Sequence, residues 1–176
     1  MNNQLKNIII STIFASILCV LSPISIPVGI VPITFASFVI YIIGALFKPI
    51  YAFLTVFIYI FIGVLGLPVF SYFQGGFHVL VGPTGGFIIG YLIAVLIISF
   101  IININKESKI LYPISMLIGT LVVYIIGSIY YMLIMDVSLV ASIIICIVPF
   151  IIGDIVKIIL ASTVVIILKD KIKTSF

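Results

Sequence analysis

The chain has 176 residues, of which 65% are hydrophobic and only 7% are charged. Soluble domains carry about 25% charged residues, so this composition excludes a water-soluble globular protein. The eight basic residues are all lysines and give a formal net charge of +4. In so apolar a chain this charge indicates orientation in a bilayer, not binding to nucleic acid. We predict an all-α integral membrane protein with a single membrane domain, residues 1–176.

Six apolar segments, separated by proline, glycine and charged residues, predict a bundle of six transmembrane helices. In chain order they run over about residues 7–22, 33–47, 50–65, 85–103, 109–134 and 151–168. The second and third are short for a full span and would need tilt or close packing. The first is interpreted as a retained helix and not a signal peptide, because no small-residue cleavage pattern follows it.

The distribution of lysine orients this set of helices. Seven lysines fall at the chain ends or in the connections on one side: Lys6, Lys48, Lys106, Lys109, Lys169, Lys171 and Lys173. The positive-inside rule then predicts cytoplasmic termini in a multi-pass protein of the cell membrane. The outer connections, at 23–34, 66–84 and 135–150, hold most of the prolines. Irregular backbone at membrane depth needs protein or water around it, so these connections predict a cavity open to the outside.

The eighth lysine, Lys157, lies three residues after Asp154 near the start of the last predicted helix. This spacing places the two side chains on one helix face, and the positive end of the helix dipole favours Asp154 there. Ionisable groups within a membrane protein are costly and usually face a cavity or a partner. Two interpretations remain open. The pair binds a polar ligand in the outer cavity, or it is an ion pair that only holds the helices together.

A polar, glycine-rich stretch, SYFQGGFHVLVGPTGG, occupies residues 71–86. Gln74 and His78 are flanked by aromatic residues, a composition typical of a small-ligand site, and Gly75 and Gly76 permit close backbone approach. The alternative is an interfacial loop whose aromatics lie at the lipid headgroups. No lysine follows GPTGG, so the nucleotide phosphate loop is not matched. Without a metal-spaced cluster or an activated nucleophile, we predict no enzyme activity, no catalytic residue and no cofactor.

Three stretches together resemble the BioY family, the biotin-specific substrate-binding S components of energy-coupling factor (ECF) transporters. They are GLPVFSYFQGGFHVLVGPTGGFIIGY, IPVGIVPITFASF and VPFIIGDIVKIILA, and they cover most of the chain in order and spacing. The combination of LPVF, GG and GPTGG with a later PF-x-x-GD-x-x-K is specific, whereas any one piece alone is weak.

The resemblance implies a compact six-helix fold with high-affinity biotin binding near the outer face. It also implies two kinds of partner, a transmembrane coupling subunit and two ATPases that hydrolyse ATP. It places Gly75, Gly76, Asp154 and Lys157 at the ligand, with Tyr91 as a further contact. Two alternatives are an S component for another small vitamin and a membrane assembly subunit with no transport role.

A stripe of small residues, Ser11, Ala15 and Cys19, lies at intervals of four in the first predicted helix. Small residues at this spacing let another helix approach closely. That helix could belong to this bundle or to another membrane subunit. In families of this kind, small residues on the first helix, often alanines four apart, mediate docking to the coupling subunit. The match here is partial, because only the middle residue is alanine.

Overall fold

The computed structural model describes residues 3–27, 29–105 and 108–174. This part of the chain is almost entirely helical. Its helices are α1 (Asn3–Leu21), α2 (Ala36–Leu46), α3 (Pro49–Val64), α4 (Phe77–Val81), α5 (Gly85–Ile104), α6 (Leu111–Met135), α7 (Leu139–Cys146) and α8 (Ile151–Thr174). Among the described residues, α1, α5, α6 and α8 are long and apolar enough to cross a membrane, while α2 and α3 are shorter apolar helices. The prediction of a helical membrane protein is confirmed to this extent.

Three predicted helix boundaries differ from the structure by three residues or more. The first helix was expected from about residue 7, but α1 begins at Asn3. The second helix was expected from about residue 33, but Ile33–Thr34 forms a strand, β2, that pairs antiparallel with β1, Ser25–Ile26. The β-branched residues Ile33 and Thr34 suit an extended backbone, and their pairing with Ser25 and Ile26 delays the start of the helix. The last helix was expected to end at about 168, but α8 continues to residue 174. Lys109 Nζ stabilises this extension by donating to Asp170 Oδ2 at 2.8 Å.

The predicted outer connections contain short helices, although the sequence indicated only loops there. The connection over 66–84 contains α4 and a short 3₁₀ helix, Ser71–Phe73. The connection over 135–150 contains α7, whose first turn is capped by Ser138, because its hydroxyl accepts from the Ala141 N–H. These short helices satisfy backbone groups that would otherwise need water.

Of the lysines used for orientation, Lys106 lies outside the described residues.

The helix pair α5 and α6 packs closely because glycines replace larger side chains at the contact. A Cβ atom on Gly86 would overlap Cβ of Tyr130, and one on Gly127 would overlap the ring of Phe87. Small residues at a helix interface are the usual basis of tight packing in membranes. The contact fixes the α5 residues that face the cavity described next.

Candidate ligand-binding site

A cavity lies between the ends of the helices that are joined by the predicted outer connections. Its wall includes side chains from the starts of α2, α5 and α8, from the second half of α3 and from the middle of α6. The apolar part of the wall is largely aromatic and branched, and includes Ile40, Phe70, Phe87, Ile88 and Phe150. An apolar wall with a few directed polar groups is the usual form of a small-molecule site.

The charged part of the wall is the pair on α8. Asp154 Oδ1 accepts a hydrogen bond from Lys157 Nζ at 2.9 Å, and Asp154 Oδ2 accepts one from the Tyr124 hydroxyl at 2.6 Å. Lys157 Nζ also donates to Ser37 Oγ at 3.0 Å. The Asp154 and Lys157 side chains are only 10% and 12% exposed. The pair is therefore an ion pair that also lines the cavity, and binding of a ligand by it stays a prediction.

This geometry leaves hydrogen-bonding capacity on both charged groups. A carboxylate offers about four lone-pair sites and an ammonium offers three donors, and each group uses two in the contacts above. A ligand N–H can therefore bind to Asp154, and a ligand carbonyl or carboxylate can accept from Lys157. Hydrogen bonds to charged groups in a water-poor site are stronger than those between neutral groups.

A second polar cluster lies where α1 and α3 end. Ser22 Oγ and the Tyr59 hydroxyl are 2.6 Å apart, and both residues line the cavity. The ring of Tyr59 packs edge-to-face against Phe70, with ring centroids 5.6 Å apart. The cavity thus offers neutral hydroxyl groups on one part of its wall and the charged pair on another.

The structure brings together three of the residues predicted from the sequence, because Asp154, Lys157 and Tyr91 all line the cavity. It places the polar residues of the glycine-rich stretch elsewhere. Gln74 and His78 are exposed, and neither belongs to the cavity wall. Direct contact between these two residues and a ligand stays a prediction.

Gly75 and Gly76 also lie off the cavity wall, and their role in this structure is to shape the backbone. Gly76 has φ +104°, and its N–H donates to the Gly63 carbonyl at 2.6 Å. A Cβ atom on Gly75 would overlap the Leu67 carbonyl oxygen. The two glycines fold the connection back onto the end of α3, next to Phe70 on the wall. Their predicted ligand contact stays a prediction.

Several residues of the site were missed by sequence reasoning. Tyrosines within apolar helices line the cavity at Tyr41, Tyr59 and Tyr124, in addition to the predicted Tyr91. The signal was present in the sequence, because a buried hydroxyl is costly unless it has a hydrogen-bond partner. A tyrosine in the middle of an apolar span therefore marks a polar neighbour or a cavity. The Tyr41 hydroxyl has such a neighbour in Thr120 Oγ1, at 2.6 Å.

The small-residue stripe on α1 faces the chain itself. Ser11 and Ala15 are only 3% and 2% exposed, and Cys19 packs at the edge of the core. This placement agrees with the interpretation in which the stripe packs within the bundle. The small side chains exposed on α1 are instead those of Thr12 and Ser16. Docking of another subunit at the stripe stays a prediction.

The fold and the cavity define a multi-pass helical membrane protein with a site for a small polar ligand at one end of its bundle. The sequence model of the BioY family matches residues 1–174. Biotin transporter BioY2 of Lactococcus lactis subsp. cremoris is 30% identical over 129 residues, which are 73% of this chain and 71% of that protein. The probable biotin transporter BioY of Pyrococcus horikoshii is 37% identical over 122 residues, 69% of this chain and 72% of the relative. The chain belongs to the BioY family.

A solved structure supports the same assignment. The crystal structure of the S-component for biotin from an ECF-type ABC transporter superposes with a TM-score of 0.90 and 29% sequence identity. The match covers 97% of this chain and 94% of that one. The resemblance seen in the three sequence stretches is thereby confirmed.

Proposed function

We propose that this protein is the biotin-binding S component of an ECF-type vitamin importer. The observation that carries the proposal is the Asp154–Lys157 pair in the wall of an apolar, aromatic cavity, in a chain of the BioY family. The chain captures the vitamin, and partner ATPases power transport. It acts by binding alone, with no cofactor and no reaction of its own.

The chemistry of biotin suits this wall. Its ureido ring has two N–H donors and one carbonyl, its bicycle and valeryl chain are apolar, and its carboxylate needs a donor or a positive charge. Asp154 can accept from an N–H, while Lys157 can donate to the carbonyl or to the carboxylate. A competing ligand that lacks these groups would leave buried polar atoms unpaired, which is the strongest source of discrimination in a closed site.

We place the cavity at the outer face, in a single domain of six spans with both termini in the cytoplasm. The described lysines outside the cavity support this orientation. Lys109 and Asp170 bring the start of α6 and the end of α8 together at the end of the bundle away from the cavity. Lys48, between α2 and α3, belongs to that same end, and positively charged ends stay in the cytoplasm.

The direct test is a calorimetric titration of the detergent-purified chain with biotin. We expect tight one-to-one binding, weaker binding of desthiobiotin, which lacks the sulfur ring, and no binding of thiamine or riboflavin. Tight binding of another vitamin would indicate an S component of different specificity. A folded protein that binds none of them would contradict the proposal and favour a membrane assembly role.

A second experiment tests the coupling subunit as a partner. Because Ala15 is buried, a tryptophan there would disrupt the chain's own packing and could not isolate docking. Ser16 is exposed on the face of α1 that points away from the bundle. We therefore expect Ser16→Trp to block close approach of another helix and to leave the fold intact. We expect at least a tenfold loss of the co-purified coupling subunit with unchanged biotin affinity.

The matched control is Ile125→Trp, which places the same tryptophan side chain at a residue of α6 that is 57% exposed. It should retain the coupling subunit. If the Ser16 variant retains the coupling subunit equally well, the exposed face of α1 that carries Ser16 is not the docking surface.

A further inference from the structure

A second cavity, of about 250 Å³, lies at the opposite end of the bundle from the proposed biotin site. Its wall is formed where α1 begins, where α2 is followed by α3, and where α5 and α8 approach their ends. The polar side chains of this wall are Asn7, Lys48, Tyr51, Asn103 and Lys169. No acidic residue is found in the wall within the described part of the chain.

This set of side chains has the chemistry of an anion site. Two ammonium groups supply positive charge and only donors, and the Asn7 amide and the Tyr51 phenol add further donors. The Asn103 amide nitrogen already donates to Ser99. Lys48 directly precedes Pro49, the first residue of α3, so the positive end of that helix dipole adds to its charge. An anion with several acceptor oxygens, such as a phosphate group, would match both the charge and the number of donors.

The charge of Lys169 is held in position beside the cavity. Its Nζ atom lies 4.7 Å from the centroid of the Tyr112 ring, in the range of a cation–π contact. The adjacent carboxylate, on Asp170, accepts a hydrogen bond from Lys109 Nζ at 2.8 Å.

The position of the cavity indicates the source of the phosphate. Its polar residues lie near the ends of apolar helices. For helices that span a bilayer, this is the level of the lipid headgroups. Leu46, Phe47 and Ile102 complete the wall with apolar surface, which suits glycerol and the first carbons of an acyl chain. We propose that this cavity binds the phosphate of an anionic phospholipid headgroup, as basic pockets between helices at the cytoplasmic surface do.

The test is lipid titration of the detergent-purified protein followed by native mass spectrometry, with phosphatidylglycerol and phosphatidylcholine of identical acyl chains. We expect one phosphatidylglycerol to bind more tightly than phosphatidylcholine. Lys48→Gln and Lys169→Gln keep most of the side-chain bulk but lose the charge, and each should weaken the binding about fivefold. Lys6→Gln is the matched control. It removes the charge of an exposed side chain at the start of α1, at the same end of the bundle but outside the cavity wall, and its affinity should stay within about twofold of the unaltered protein.

Three results would overturn the proposal. Equal weakening by Lys6→Gln would reduce the effect to general surface charge. Equal affinity for the two lipids would exclude selection for an anion. The third result concerns inorganic phosphate at millimolar concentration. If it displaces phosphatidylglycerol and protects the protein against thermal unfolding as well as the lipid does, the cavity is a site for soluble phosphate. None of these readouts depends on biotin, so they remain informative if the vitamin does not bind.

Discussion

Asp154→Asn is expected to weaken biotin binding by about tenfold to a hundredfold while the protein remains folded. The asparagine side chain keeps the shape of aspartate and can still accept from the Tyr124 hydroxyl, but it no longer attracts Lys157. Hydrogen bonds to charged groups are worth about 1.5–3 kcal/mol, and about 1.4 kcal/mol corresponds to a factor of ten in affinity. Calorimetry with the purified variant measures the effect directly.

Lys157→Ala should have a comparable effect on affinity and a larger effect on stability. It leaves a carboxylate that is only 10% exposed without its positive partner, and an uncompensated buried charge is strongly destabilising. Lys157→Met removes the charge and retains the volume, so it separates the loss of a ligand contact from the loss of packing.

The exposed ion pair of the same chain provides the control for both variants. Lys109 and Asp170 are 61% and 56% exposed, and pairs of this kind contribute about 0–1 kcal/mol. Asp170→Asn should leave biotin affinity unchanged. If Asp154→Asn also binds biotin with unchanged affinity while folded, the site assignment is wrong and the pair on α8 is only structural.

Gly86→Ala is expected to destabilise the chain by about 1–3 kcal/mol, the usual cost of overpacking. The added Cβ would overlap Cβ of Tyr130, which is fixed to the backbone of α6 and cannot rotate away. The two helices must therefore separate, and α5 would shift relative to the cavity. Unfolding of the purified variant by heat and by a denaturing detergent measures the loss of stability, and calorimetry measures the accompanying loss of biotin affinity.

Gly29→Ala is the matched control for this substitution. A Cβ at Gly29 would meet no atom within 4 Å, so the variant should unfold at the same temperature as the unaltered protein or slightly above it. Equal unfolding temperatures for the Gly86 and Gly29 variants would contradict the role of glycine in this helix contact.

The helices were predictable and the short outer elements were not, for a physical reason. The bilayer demands long apolar runs, and these runs are visible in the sequence at the positions of α5, α6 and α8. The hairpin of β1 and β2 consists of two residues on each strand. Such a pairing is too short to leave a periodic pattern, and it exists only because the surrounding helices hold its ends together.

Only part of the candidate site, chiefly its charged pair on α8, could be predicted in the same way. Asp154 and Lys157 stand out because charge is rare in an apolar span. Their hydrogen-bond partners do not stand out in the sequence, since Tyr124 lies 30 positions from Asp154 and Ser37 lies 120 positions from Lys157. Helical periodicity describes the face of one helix and cannot state which faces of distant helices meet. The glycine-rich stretch drew attention to Gln74 and His78, whereas Phe70 and Ser71, just before them in the chain, line the cavity.

The hairpin and the neighbouring connection are joined by one hydrogen bond, in which the Tyr72 N–H donates to Ser25 Oγ at 3.2 Å. Val31 and Ser71, one from each of these connections, line the cavity. The hairpin and the 3₁₀ helix thus lie side by side at the end of the bundle that holds the cavity. We expect a ligand that leaves between them to break this hydrogen bond, so that loosening the link would act mainly on the dissociation rate.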